Sequence, residues 1–402
     1  MAKDRPDFPP AAIKRHKKYC IFCSITVLFV ILLNLLSLNR SFCDFCTNHL
    51  FRFISMPYAA VTKLFPFSFG ELLIAIGILI VLILIIWSLI YAIRSLTHRI
   101  KKKPIPSGKH LFLYIRITFG IILIVLLLMT LNCSIPYGCS KYYLTENKDG
   151  DLVGADYTPT LEETRILRNF LVEETNRLAE TMERDENGYV ILPGCTYEES
   201  AEKVLLLSMD AVKKRSGSDS RFSGLISHPK FLASSYLMYE TNMLGYYFPF
   251  SMEANLSKYI TPVNLPATAC HELSHLAGYM FEDEANFMSF LACTNSENDF
   301  LIYSGYLEAL RYVNNDFFES VDYDDYLAEP FISPLVQQDF RYYTEEDEAR
   351  LQETEERLTI KKETLTEIRQ GFTDTYMKYY RATENYNAVT KYLLRYYKEI
   401  LY

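Results

Sequence analysis

LPATACHELSHLAGYMFEDEAN, residues 265–286, carries two of the chain's seven histidines. His271 and His275 stand at i and i+4, and a helix with 3.6 residues per turn brings such a pair to one side. Two imidazoles so placed can reach one tetrahedral ion. Glu272 is rotated by ~100° from His271, so it faces the water that such an ion activates rather than the ion itself. There it can take the water's proton as general base and pass it to a leaving amine. The stretch also carries helix punctuation: Asn264 at the cap position, Pro266 in the first turn and Gly278 as a stop. A zinc site that hydrolyses amides needs a third protein ligand and one open position. No histidine follows His275, and His228 lies far upstream in SHPKF. The acids Glu282, Asp283 and Glu284 come directly after the gap opened by Gly278. If a second helix starts near Phe281, Glu282 and Asn286 share a face. The expectation is one zinc per chain on His271, His275 and one of the acids Glu282, Asp283 and Glu284.

Outward from this stretch the chain divides into two unlike parts. Three long apolar runs occupy residues 19–38, 72–93 and 111–132. Each suits a hydrocarbon core of roughly 30 Å, which takes ~20 helical residues. None has the polar residue every third or fourth position that marks a soluble amphipathic helix. Arg116 is the only charge in them and lies near one end, within reach of headgroups. Three transmembrane helices are therefore expected, with the lipid bilayer as partner. Basic residues set the orientation. The tail 1–18 and the loop 94–110 are rich in Lys and Arg, whereas the loop 39–71 has only Arg40, Arg52 and Lys63. The positive-inside rule puts the tail and the 94–110 loop in the cytoplasm and residues 133–402 outside. That outer part carries 25 Lys and Arg against 45 Asp and Glu, a net charge of −20. Such a surface repels nucleic-acid phosphates, so no nucleic-acid partner is expected. Cys43, Cys46, Cys133 and Cys139 fall where an oxidising exterior permits disulfides, and their pairing is left open.

The outer domain, residues 133–402, reads as mostly helical α+β. Residues 158–188 form an amphipathic helix opened by a Thr160/Glu163 capping box and stopped at Asn187-Gly188. A second helix covers 198–215, and the Ser/Gly-rich 215–224 is a loop. The aromatic stretch 234–262, broken by Gly245, Pro249 and Pro262, reads as one or two bent strands. Beyond residue 300 the pattern is helical again, with a charged helix over 344–370 ended by Gly371 and a tyrosine-rich helix closing the chain.

The metal-site stretch resembles the gluzincin pattern of zinc peptidases: His-Glu-x-x-His on one helix, then a ligand Glu on the next, then an orienting Asp four residues on. EDEAN (282–286) is similar to that second element, which implies Glu282 as the third ligand, with Glu284 the alternative and Asp283 behind it, and Asn286 standing where the pattern has Asp. A neutral amide there raises ligand basicity less than a carboxylate. The metzincin pattern fits Gly278 but fails at its last ligand, where this chain has Phe281. More widely, FPFSFGE (65–71), GYYFPFSMEANL (245–256), FEDEANF (281–287) and YSGYLEAL (303–310), together with the three spans, resemble one family. It is a family of bacterial membrane proteins catalogued as domain of unknown function 3810. The resemblance implies a zincin-like, multi-pass protein of the bacterial cell membrane, and supplies no substrate. In zincins a strand beside the active helix binds extended substrate. Tyr246, Tyr247 and Phe248 are the residues to expect there, with Glu253 or Asn255 near the cleft. Tyr303, Tyr306 and Arg311 are candidate transition-state stabilisers by proximity alone.

Two functions from different classes follow. One is a membrane-anchored zinc metallopeptidase acting on peptide or protein outside the cytoplasm. The other is a catalytically silent, zinc-stabilised binding or sensor module. A transport role has little support, because the spans offer almost no intramembrane ionisable residue.

Overall fold

The computed structural model describes residues 10–141, 159–224, 227–241, 243–357 and 387–401. Three helices are long and apolar enough to cross a membrane. They are α1 (Pro10–Leu36), α4 (Phe69–Ile100) and α5 (Lys109–Met129), the last running on through a π turn (Thr130–Ser134) into the short α6 (Ile135–Tyr137). α4 therefore takes in the first residues of the expected basic loop, and the third span extends past residue 132. Helix α5 lies against both of the others. Arg116 stacks its guanidinium 4.1 Å from the Tyr19 ring, and the Tyr19 hydroxyl donates to the Arg116 carbonyl at 2.6 Å. Tyr114 donates to the carbonyl of Ile80 at 2.9 Å, tying α5 to α4.

Between the first two spans the chain folds into a platform. It comprises α2 (Arg40–Phe45), a π turn (Cys46–Leu50) and α3 (Phe51–Thr62). Ser140, just past the third span, donates through both N–H and hydroxyl to the Asp44 carboxylate at 2.8 Å. Cys43, Cys133 and Cys139 are buried in and beside this joint.

The large domain opens with α7 (Leu161–Ala179) and α8 (Tyr197–Lys214), each started by a capping box: Thr160 with Glu163, and Thr196 with Glu199. α7 stops earlier than expected. The residues after it turn back in a short bridge between Arg184 and Val190, because the Asp185 carboxylate takes the N–H groups of Asn187 and Tyr189. Next come β1 (Lys230–Phe231), α9 (Ser235–Glu240), β2 (Gly245–Phe248) and β3 (Glu253–Leu256). The sheet order is β1-β3-β2, with β1 parallel and β2 antiparallel to β3. The aromatic stretch expected as one or two bent strands thus begins as helix, where Leu237, Met238 and Glu240 favour that form and no Gly or Pro interrupts it. Helices α10 (Leu265–Leu276), α11 (Glu282–Thr294) and α12 (Asp299–Ser320) follow. Then come α13 (Tyr323–Leu327), α14 (Pro334–Asp339), α15 (Glu345–Arg357) and α16 (Asn387–Leu401). The rest of the charged stretch, Gly371 included, lies outside the described residues.

α10 is the central rod. Every residue in it is buried except Thr268 and His271, so only one narrow stripe meets solvent. Small side chains permit this. Ser289 of α11 donates to the Ala267 carbonyl at 2.5 Å, and Ser304 of α12 accepts the Ala267 N–H at 3.2 Å. A Cβ on Gly305 would lie 2.7 Å from Cys293 Cβ, so glycine is what lets α12 close on α11. Pro266 fills the first turn of α10 as expected. Asn264 stands at the cap position but does not cap. Its amide instead donates to Thr261 Oγ1, the Asp339 carbonyl and the Arg341 carbonyl, a use that ties α10 to the chain after α14.

Candidate metal centre

The stripe of α10 that reaches solvent presents His271, with the buried His275 one turn further on. Gly278, at φ +95°, ends the helix in a conformation that favours glycine, and the chain turns within a few residues into α11, whose first residue is Glu282. That short turn sets the carboxylate of Glu282 against both rings. The two Nε2 atoms are 3.1 Å apart. Glu282 Oε2 is 3.1 Å from His271 Nε2, and Oε1 is 3.7 Å from His275 Nε2. Bonds of ~2.0–2.1 Å to a tetrahedral zinc would space its donors about 3.3 Å apart. The two nitrogens and the nearest oxygen to each lie close to that spacing, and with one atom taken from each residue the three donors lie within 4.8 Å of one another.

Hydrogen bonding makes the same point independently. His275 Nδ1 lies 2.6 Å from the Tyr279 carbonyl, which only accepts, so this nitrogen carries the proton. His271 Nδ1 lies 2.7 Å from Asn286 Oδ1, with the same consequence. In the neutral rings both Nε2 lone pairs then converge on each other and on a carboxylate. Three acceptors meeting without a donor are stable only with a cation, a proton or a metal ion, between them, and two imidazoles with a carboxylate are a donor set that suits a metal ion. Burial alone would lower the pKa of His271, but hydrogen bonding and charge from Glu282, with Asn286 added, leave it raised. The Glu282 side chain is 52 % exposed; crowding by protein atoms on its inner side would raise its carboxyl, but the charge of His275 and hydrogen bonds from both rings bring it below the usual carboxylate range.

Asn286 and the Tyr279 carbonyl fix the ring orientations, and such partners affect metal affinity strongly. Asn286→Ala is expected to weaken zinc binding by about 10–100-fold, and Asn286→Asp to tighten it above wild type. Competition with a chromogenic chelator would measure both; an unchanged affinity in the alanine variant would remove Asn286 from the site.

Glu272 occupies the adjacent face. It is 5 % exposed, and its Oε2 has no hydrogen-bond partner among the described residues. Burial, aided by the charge of Glu282, pushes its carboxyl up to about 8, while His275 and the backbone N–H of Tyr247 pull the other way. Strand β2 passes very close. A Cβ on Gly245 would lie 2.8 Å from Glu272 Oε1 and 2.8 Å from the Asn255 carbonyl, so only glycine fits there. The Tyr247 ring stands 6.4 Å from the His275 ring. β2 is an edge strand, and the N–H of Tyr247 is directed at Glu272 rather than into the sheet.

The turn between the ligand helices rests on the platform. Gly278 meets Thr47 and Phe51, the Phe281 ring packs edge-on against Tyr137 at 5.9 Å, and Lys141 pairs with Asp283 at 2.5 Å. Tyr279, whose carbonyl orients His275, is braced too. Its ring lies between Phe222 and the Arg221 guanidinium, its hydroxyl donates to Asp219, and Arg221 donates to Asn48 of the platform.

Other residues singled out in the sequence fall elsewhere. Asp283 is engaged by Lys141, and neither it nor the buried Glu284 belongs to the His271–His275–Glu282 group, the one such cluster among the described residues. His228 sits near Lys63 and Lys230, outside the group. Glu253 is buried away from the cleft, paired with Lys230. Tyr303 is fully buried and donates to Asp339 at 2.5 Å. The Tyr306 hydroxyl accepts from Tyr397 at 3.3 Å. Arg311 donates to the Phe340 carbonyl and to Asn264 Oδ1 and stacks over Tyr342. All three build the frame around the site. Tyr279, Arg221 and Lys141 shape the site and had no mark in the sequence, because each acts through a contact far along the chain or through a backbone atom, and Gly245 was marked there only as a break in the aromatic stretch.

A family model described as a protein of unknown function (DUF3810) matches residues 47–394. The chain belongs to this family. The DUF3810 match starts inside the platform and takes in α4, α5 and the metal-centre helices together. No curated protein and no solved structure matches the chain.

Proposed function

We propose that this DUF3810 chain is a membrane-anchored zinc metallopeptidase, with His271, His275 and Glu282 as ligands. The observation that carries this reading is the convergence of two imidazole nitrogens and one carboxylate beside a buried carboxylate that has an unpaired oxygen. Zinc bound there would supply Lewis-acid polarisation of a scissile carbonyl and activation of a water. Glu272 takes the proton of the attacking water and returns it to the leaving amine; a carboxyl raised by burial suits a group that must do both near neutral pH. The outer edge of β2 accepts an extended peptide as an added strand, which takes over the Tyr247 N–H from Glu272 and lies along Tyr246, Tyr247 and Phe248. A sheet beside the HExxH helix and a ligand Glu on the following helix together support a zincin-like domain. The basic residues flanking the spans support a cytoplasmic N-terminus and a metal centre outside.

The test is zinc content of the full-length protein in detergent, by elemental mass spectrometry. About one zinc per chain is expected in wild type and in Glu284→Gln, and strong loss in His271→Ala, His275→Ala and Glu282→Gln. Folded wild type that takes up no zinc would sink the reading.

A further inference from the structure

The position of the metal centre relative to the apolar helices restricts what can reach it. Strand β2 links the two directly. At one end Gly245 touches Glu272; at the other the Phe248 ring fills the space beside Gly70, where a Cβ would lie 2.7 Å from Phe248 Cδ1. Gly70 is in the first turn of α4. Three strand steps of ~3.3 Å separate these ends, roughly 10 Å. A second route gives a similar figure. The Tyr247 hydroxyl, on the ring beside His275, reaches the carbonyl of Asn132 at 3.4 Å, and the Asn132 amide donates to the Pro249 carbonyl at 2.6 Å. Asn132 closes the third apolar run. The third route is the ligand turn itself, which rests on Thr47 and Phe51.

The level of the bilayer follows from exposed apolar side chains. α4 exposes Leu72, Ile74 and Ile76 within two turns of Gly70. The platform exposes Phe45, Leu50, Phe53, Leu64 and Phe67, flanked on both sides by spans. Apolar and aromatic side chains in that position lie at the membrane interface. Glu71 marks the upper boundary, its carboxylate accepting the N–H groups of Ala233 and Ser234 of the large domain. The bilayer surface thus passes close to Gly70 and Asn132, and the metal centre stands within roughly 10–15 Å of it.

We infer that the substrate is the juxtamembrane segment of a membrane-anchored polypeptide, cut within the first ~10 residues beyond its anchor. This inference rests on the peptidase reading. An extended segment rises about 3.3 Å per residue, so a few residues leaving the bilayer span the height of the site and arrive along β2. A soluble protein would have to insert an extended segment between the large domain and the bilayer to reach the same atoms.

The experiment uses zinc-loaded full-length protein in liposomes. The probes are randomised decapeptides tethered to the same bilayer by a dialkyl lipid at either end, through Gly/Ser spacers of about 3, 10 and 30 residues. Mass spectrometry maps the cuts, with untethered peptides for comparison and Glu272→Gln as the blank. The short spacers are expected to be cut about tenfold faster than the longest. Equal rates at all spacer lengths, or fastest cutting at the longest, would overturn the juxtamembrane assignment while leaving the peptidase reading in place. No cutting of any probe by zinc-loaded wild type would overturn the peptidase reading, and the substrate class with it.

Discussion

Glu272→Gln is expected to lower peptide cleavage by about 10²–10⁴-fold while zinc stays at about one per chain. The amide has the shape of the carboxyl, so it meets the same close wall at Gly245 and leaves strand β2 in place. Glu272 is outside the group of ligand atoms, so metal affinity has little reason to change. What the amide cannot do is accept a proton. The variant also separates chemistry from folding. Glu272 is buried with one oxygen unpartnered and its carboxyl raised to about 8, so its charge costs the folded state energy. Removing that charge should leave thermal stability equal or higher. The measurement is cleavage of the tethered peptides alongside zinc content and a melting curve. Cleavage that survives the substitution would show that another group is the base. A wild type that binds zinc and cleaves nothing would point to the binding or sensor module instead.

Local order in the chain made much of this site legible. His271, Glu272 and His275 are related by helical geometry alone, and Glu282 follows within one turn of Gly278, so the ligand set needs no long-range information. The three apolar helices were legible for a similar reason, since length and hydropathy decide them. Distant contacts were not legible. Gly245 looks like a turn residue until β2 is laid against Glu272. Arg221 reaches Asn48 across the whole of the second and third spans, and no periodicity marks such a pair. Tyr279 contributes a carbonyl, which every residue has. Tyr303, Tyr306 and Arg311 stood out because they follow the motif closely, but α12 turns them into packing with α14, α16 and the chain after it. Residues 235–240 show another limit, since a stretch rich in Leu, Met and Tyr reads equally as strand or helix when it is short.

Lys230→Met is expected to destabilise the protein by about 3–5 kcal/mol, because it leaves a buried carboxylate without its cation. Lys230 is 3 % exposed and Glu253 0 % exposed. The ammonium spends its donors on Glu253 Oε1 at 2.5 Å, the Thr62 carbonyl at 2.7 Å and the Phe67 carbonyl at 3.1 Å. Those carbonyls belong to the end of α3 and the link into α4, so one side chain closes the platform onto the sheet. Glu253 in turn accepts the N–H groups of Phe69 and Gly70 and the Ser251 hydroxyl. It therefore sits at the N-terminus of α4, where the helix dipole favours negative charge. That placement shapes the double variant Lys230→Met/Glu253→Gln. Neutralising the stranded carboxylate should recover part of the loss, but the amide binds the α4 N–H groups less strongly than the ion, so recovery stays incomplete. Denaturant unfolding in mixed micelles measures the stability, and zinc content reports on the site. Because β3 carries Glu253 and pairs with β2, a loosened joint at α4 should also disturb the strand beside Glu272. A loss below about 1 kcal/mol with unaltered cleavage would mean that water or neighbouring groups replace the ammonium, and that the sheet is seated on α4 by its apolar contacts instead.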